Sequence, residues 1–162
     1  LVMARPIDFD AVNDIPPGTD GCPGPDNCMR VITAMGTPLL WWIGVLALVA
    51  ALVLWLATRD WRFGVPVLGV ASTWLTWFPQ AARPLFFFYA ITIIPFTCMA
   101  VALCLGKIIG PVGGPRRRAG AMAAGVIVAL VIMNFAFLYP VLTDALLSQP
   151  EWLARMSFKS WI

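Results

Sequence analysis

The chain has 162 residues, of which 60% are hydrophobic and only 12% charged, where a soluble domain carries about a quarter. That excludes a water-soluble globule with an ordinary charged shell. The net charge of +3 is spread in separate clusters, which excludes the single basic face of a nucleic-acid binder. The complete lack of histidine removes Ser-His-Asp and Cys-His nucleophiles, His-ligated zinc and a histidine pH switch.

Residues 1–37 are polar, acidic and proline-rich. Pro6, Pro16, Pro17, Pro23 and Pro25 forbid a long helix there, although a short one is expected through Met29–Met35. The chain starts at Leu1. No basic segment followed by an apolar one opens it, so no signal peptide is expected, and we expect it to be a piece of a longer protein.

Residues 38–57 contain no charge. At about 1.5 Å per residue such a run crosses a hydrocarbon core of roughly 30 Å. Pro38 suits a first helical turn, and Trp41, Trp42 and Trp55 suit the two interfaces. Arg59-Asp60-Trp61-Arg62 reads as a tight charged turn. A second span is expected at 64–80, shorter and interrupted by Pro66 and Pro79, with Trp74 and Trp77 near its end. Gln80 to Pro84 forms the next turn. A third span is expected at 85–106, kinked at Pro95. A basic Gly/Pro-rich loop at 107–118 precedes a fourth span at 120–143. The tail, 144–162, is expected to lie along the interface. The expected fold is therefore all-α: a four-helix membrane bundle, 38–143, with a loop at 1–37 and an interfacial tail at 144–162.

Four spans put both ends on one side. The turns at 59–62 and 107–118 share the other side and hold six of the eleven Lys/Arg but one acid. The positive-inside rule makes those turns cytoplasmic, and the loop, the Arg83 turn and the tail extracytoplasmic.

Few signals carry chemistry. Cys22 and Cys28 bracket a short loop in the compartment where disulfides persist; a bridge, two free thiols or a zinc site are the alternatives, and zinc would lack its usual further ligands. Cys98 and Cys104, six apart on one helix, face different directions and read as small packing residues. Arg83 sits in a short interfacial turn amid aromatics. Its planar fork suits a lipid-linked phosphate; the alternative is an arginine snorkelling to headgroups. Asp8, Asp10 and Asp14 lie in a loop that fixes no geometry. Arg116–Arg118 reads as a topology determinant that also meets anionic lipid. Asn134 is expected to hydrogen-bond to a neighbouring helix. Gly113-Gly114-Pro115 lacks the lysine and strand context of a phosphate loop.

Several strings together resemble a known family. The stretch Cys22–Cys28 followed by Ile32 to Trp42 resembles the entry to the C-terminal four-helix part of actinobacterial-type protein O-mannosyltransferases. Arg59 to Arg62 is similar to the turn after that part's first helix. Trp74-Leu75-Thr76-Trp77, then Arg83 with Phe86 to Tyr89 and Pro95-Phe96, is similar to the family's arginine-aromatic-tyrosine-proline signature. Leu1 to Pro6 resembles the segment upstream, and Trp152 to Trp161, with Arg155-Met156 inside it, resembles the tail.

The resemblance covers nearly the whole chain. It implies transfer of mannose, with inversion, from polyprenyl-phosphate mannose to Ser or Thr of secreted proteins at the extracytoplasmic side of the plasma membrane. The partners it implies are the lipid-linked donor, the acceptor protein, membrane lipid and the translocon, with no nucleic acid. It implies Arg83 and Tyr89 as donor contacts, Arg5 as a further substrate contact, and Cys22 and Cys28 as the stiffening of the loop. It implies no cofactor and no metal. The family's catalytic carboxylates lie in a first extracytoplasmic loop that has no counterpart here, so no residue of this chain is assigned to catalysis. A non-catalytic scaffold subunit and a transporter fragment are the competing classes. The scaffold would keep the helices without a phosphate site. The transporter would need broken helices and midplane polar groups, for which Pro95 and Asn134 are thin support, and no charge lies within a span.

Overall fold

The charge-free run that opens at Pro38 folds as a 21-residue helix, α1 (Pro38–Thr58). The computed structural model describes residues 14–15, 18, 21–22, 27–30, 32, 36–76 and 87–156, with backbone alone at 14, 29 and 87–89. Two compact units result, one of Pro38–Val131 and one of Leu1–Thr37 with Ile132–Ile162.

In the first unit, α1 stops for local reasons. The Thr58 hydroxyl donates back to the Leu54 carbonyl (2.7 Å). Arg59 then takes a left-handed φ of 53°, a conformation that ends helices. Asp60 caps the next helix, α2 (Trp61–Trp74), its carboxylate accepting from the Arg62 N–H at 3.1 Å. Pro66 lies inside α2 and is buried. It removes a donor to the Arg62 carbonyl, at the exposed, charged end of the helix where that loss is tolerated. The ring of Trp55 lies over Gly64, where a Cβ would stand 2.6 Å from it. Trp55 is thus half-buried in the α1–α2 hairpin rather than an open interfacial side chain.

The expected mid-span kink at Pro95 takes another form. Residues Phe87–Ile93 are a 3-10 helix, and α3 (Ile94–Ile109) begins with Pro95 in its first turn. Proline needs no N–H there, and what precedes it is a 3-10 segment rather than an α-helical turn, so it starts the α-helix. Gly110, with φ of 74°, ends α3, and α4 (Arg117–Leu142) follows after a short turn. Gly120 of α4 lies against the backbone of Ile108 and Ile109, a space no Cβ could enter.

The helices of this unit meet through small residues. Ala47 and Ala51 of α1, Ala100 of α3 and Phe63 of α2 form its buried cluster, with Leu48, Val67 and Cys104 packed against them. Gly44 receives the Thr97 methyl and Gly69 receives the Phe96 ring, each with no room for a Cβ. The Thr97 hydroxyl turns back to the Ile93 carbonyl at 2.9 Å, which leaves its methyl free to enter the Gly44 notch. Larger side chains such as Trp42, Leu46 and Leu56 point outward, as expected where lipid is the solvent.

Three of the described helical stretches are long and apolar enough to span a bilayer: Pro38–Thr58, Ala90–Ile109 and Arg117–Leu142. The expected second span, 64–80, corresponds to α2, which starts earlier because Asp60 caps it. Its 14 residues reach roughly 21 Å, and residues 77–80 lie outside the described residues.

The second unit holds a three-stranded antiparallel sheet of two-residue strands: β1 (Asp14–Ile15), β2 (Cys28–Met29) and β3 (Leu147–Ser148), in that order. Met29, expected to open a short helix, is a strand residue instead; residues 33–35 lie outside the described residues. The unit's core is Leu138 and Val141 from the end of α4, Leu147, and Trp152 and Met156 from the tail. The tail helix is α5 (Gln149–Arg155).

The notch at Gly44 yields a compensating pair. Gly44→Ala should destabilise the full-length protein by about 1–3 kcal/mol through overpacking. Adding Thr97→Ser, which removes the methyl and keeps the hydroxyl, should recover most of that. Detergent unfolding of the single and double variants measures both.

Candidate functional site

The acidic loop and the tail, far apart in sequence, are tied together. Cys22 and Cys28 are disulfide-bonded, with Cα atoms 5.8 Å apart, and both are buried. Closing a loop this short contributes about 2 kcal/mol on the chain-entropy model. Cys28 then pairs in the sheet with Ser148, and Met29 with Leu147. The Gln149 N–H donates to the Asn27 carbonyl at 3.1 Å, so the bridged loop holds the first turn of α5.

Ser148-Gln149-Pro150-Glu151 carries the Ser-x-x-Glu spacing of a capping box. The Ser148 N–H donates to Glu151 Oε2 at 3.1 Å. The bond from the Ser148 amide, joined by its hydroxyl and by the charge of Arg155, holds the Glu151 carboxyl below the usual carboxylate range. At the other end of α5, Arg155 donates from Nε to the Phe137 carbonyl (3.1 Å) and from Nη1 to the Glu151 carbonyl (2.8 Å). Its guanidinium carbon stands 5.4 Å from the Phe137 ring centre. This anchor falls beside the turn where Pro140 leaves α4 one donor short. The sequence names Arg155 only through its resemblance to the family's tail; neither the Ser148 capping box nor the Gln149 bond to Asn27 was anticipated.

In the first unit the expected donor contacts fall at the edge of the described residues. Tyr89 has its backbone in the 3-10 helix Phe87–Ile93. Its side chain, and Arg83 and Arg5 entirely, lie outside the described residues. The structure therefore fixes the segment that follows the Arg83 turn, through Phe96 on Gly69 and Thr97 on Gly44, and leaves the contacts themselves as expectations. Cys98 and Cys104 are free; the Cys104 thiol reaches the Ala47 carbonyl of α1 at 3.5 Å. Among the described residues no group of three or more His, Cys, Asp or Glu is placed to hold a metal ion.

Long apolar helices joined by short charged turns, with a disulfide-bridged loop tied to the tail, define the chain as a membrane-embedded α-helical protein. Its relatives narrow the class. It is homologous to a C-terminal part of actinobacterial proteins named polyprenol-phosphate-mannose–protein mannosyltransferase. It is 40% identical over 143 residues to the one from Mycobacterium tuberculosis, a match covering 87% of this chain and 27% of that protein. It is 39% identical over 160 residues to the one from Mycolicibacterium smegmatis, covering 97% of this chain and 30% of the relative. The Corynebacterium glutamicum protein is 32% identical over 166 residues, covering 99% of this chain and 30% of its own length. The chain thus spans less than a third of the relatives it matches. No family model and no solved structure matches it.

The Glu151 contacts set a pH dependence. A carboxyl whose folded-state pKa is lowered contributes stability above its unfolded value, about 4.3, and loses it as pH falls through the lower folded value. Hydrogen exchange of α5, corrected for its intrinsic pH dependence, should show the helix loosening below about pH 4. Glu151→Gln should be looser at neutral pH and nearly flat across that window.

Proposed function

We propose that this chain is the C-terminal membrane module of a glycosyltransferase that moves mannose from polyprenyl-phosphate mannose to Ser or Thr of secreted proteins. The observation that carries the reading is identity of 32–40% along nearly the whole chain to three actinobacterial proteins of that name. In this reading four spans embed the module in the cell membrane. The bridged loop, the Arg83 turn and the tail face the extracytoplasmic side, and the turns at 59–62 and 107–118 face the cytoplasm. The disulfide supports that orientation, because such bonds persist outside the cytoplasm, and so does the charge asymmetry.

Arg83 binds the phosphate of the lipid-linked donor, its fork of donors matching phosphate oxygens. Tyr89 shapes the same region from the 3-10 segment, and Arg5 contacts substrate more weakly. The Phe96 and Thr97 contacts with Gly69 and Gly44 hold that segment in place. General-base help to the acceptor hydroxyl comes from a carboxylate outside this chain. The chain alone is then inactive, and the translocon is the natural source of unfolded acceptor.

Two experiments test the reading. In the full-length enzyme, Arg83→Ala should weaken donor use about 10- to 100-fold, the value of a charge-assisted contact. Correct membrane insertion is checked alongside. Unchanged donor KM and turnover would remove the assignment and favour a scaffolding role. For orientation, a membrane-impermeant thiol reagent on intact cells should label a cysteine at Ala81 and spare one at Val112. The opposite pattern inverts the topology.

A further inference from the structure

The turns at one end of the helical unit come together by direct contact. Lys107, in the last turn of α3, places its ammonium 5.6 Å from the ring centre of Phe63, in the first turn of α2. The α1–α2 turn and the α3–α4 turn therefore share one end. Arg117 reaches back from the first turn of α4 to the Gly110 carbonyl at 3.5 Å. Gly120 lets the start of α4 close onto Ile108 and Ile109.

Six cations result at this end: Arg59, Arg62, Lys107, Arg116, Arg117 and Arg118. Asp60 is the sole acid between Asp26 and Asp144, and its carboxylate is occupied in capping α2. Arg116, Arg117 and Arg118 are exposed. Arg117 and Arg118 stand in the first turn of α4 with no acid there, where the positive end of the helix dipole opposes them. The arrangement is unfavourable by itself and becomes favourable against a layer of anions. Apolar side chains are interleaved with the cations: Trp61 is 70% exposed and Val112 at the loop tip is 88% exposed. Three helices of span length, Pro38–Thr58, Ala90–Ile109 and Arg117–Leu142, have a terminus here, so the patch stands at headgroup depth.

We propose that this end is a binding surface for anionic phospholipid. The arginines of the 116–118 run take headgroup phosphates while Trp61 and Val112 enter the interface. The partner is a lipid of the bilayer itself, because the cations flank the ends of spans and the apolar tips need acyl or glycerol surroundings that a soluble phosphate does not offer.

The test uses the purified full-length protein in nanodiscs of phosphatidylcholine, with and without phosphatidylglycerol. Native mass spectrometry counts retained lipid, and thermal unfolding reads the stability. Wild type should retain phosphatidylglycerol over phosphatidylcholine, with a raised Tm that declines as KCl is added. The triple change Arg116→Gln, Arg117→Gln, Arg118→Gln should weaken retention about tenfold or more. The triple Arg→Lys variant should keep most of it. The proposal is overturned if wild type shows no preference, if salt leaves the preference unchanged, or if inorganic phosphate alone reproduces the stabilisation. Equal retention by wild type and the Gln variant overturns it as well. The three wild-type outcomes hold even if the Gln variant fails to insert, and none depends on mannosyl transfer.

Discussion

The close approach of α3 to α1 and α2 is the contact on which the rest of the helical unit depends. In a bilayer, lipid tails are as apolar as leucine, so burial alone does not bring helices together. What remains is dispersion and shape, which act only at short range. Gly44 and Gly69 supply the missing side chains, and Thr97 and Phe96 fill the spaces. Ala47, Ala51 and Ala100 continue the seam. Thr97 sends its hydroxyl to Ile93 within its own helical stretch, and the Cys104 thiol meets the Ala47 carbonyl across the seam. The same contact fixes where the 3-10 segment Phe87–Ile93 hands over to α3, and Pro95 makes that handover a helix start.

The second unit is held by different physics. Two-residue strands contribute little by themselves, and a lone hairpin is marginal. Here the disulfide constrains β2, β2 holds β3, and the Asn27 carbonyl receives the first amide of α5. Trp152 and Met156 then close over Leu138 and Val141. Arg155 completes the attachment by donating to Phe137. Covalent, backbone and apolar links therefore converge on a tail helix of seven residues, about two turns, a length too short to be stable as an isolated helix.

Much of this was legible in the chain. Charge-free runs of span length announced α1, α3 and α4, because a hydrocarbon slab imposes length and apolarity on any helix crossing it. Asp60 was expected only as part of a charged turn, and no cap was expected at Ser148-x-x-Glu151, although both are local cap patterns. The pairing of residues 28–29 with 147–148 was not legible. Strands of two residues have no periodicity to read, and register is set by partners more than a hundred positions away. Pro95 misled for a related reason: proline marks a discontinuity, but whether it kinks a helix or begins one depends on what precedes it. The notches at Gly44 and Gly69 were invisible because a glycine's partner is a tertiary fact. Of the expected substrate contacts, Arg83, Arg5 and the Tyr89 side chain fall outside the described residues.

The distribution of charge has a consequence for how such a module can act. No Asp, Glu, Lys or Arg occurs within 38–58, 90–106 or 119–143. The described spans thus offer an ionic ligand nothing at mid-depth, where an isolated charge is costly. Recognition of a phosphate is confined to the two ends of the helices. The cations of 59–62 and 107–118 gather at one of those ends, and Arg83, the contact proposed for the donor phosphate, lies outside the described residues. A polyprenyl donor has the matching division, a long apolar chain and one anionic head. On the proposed function, the spans suit the chain and an end suits the head.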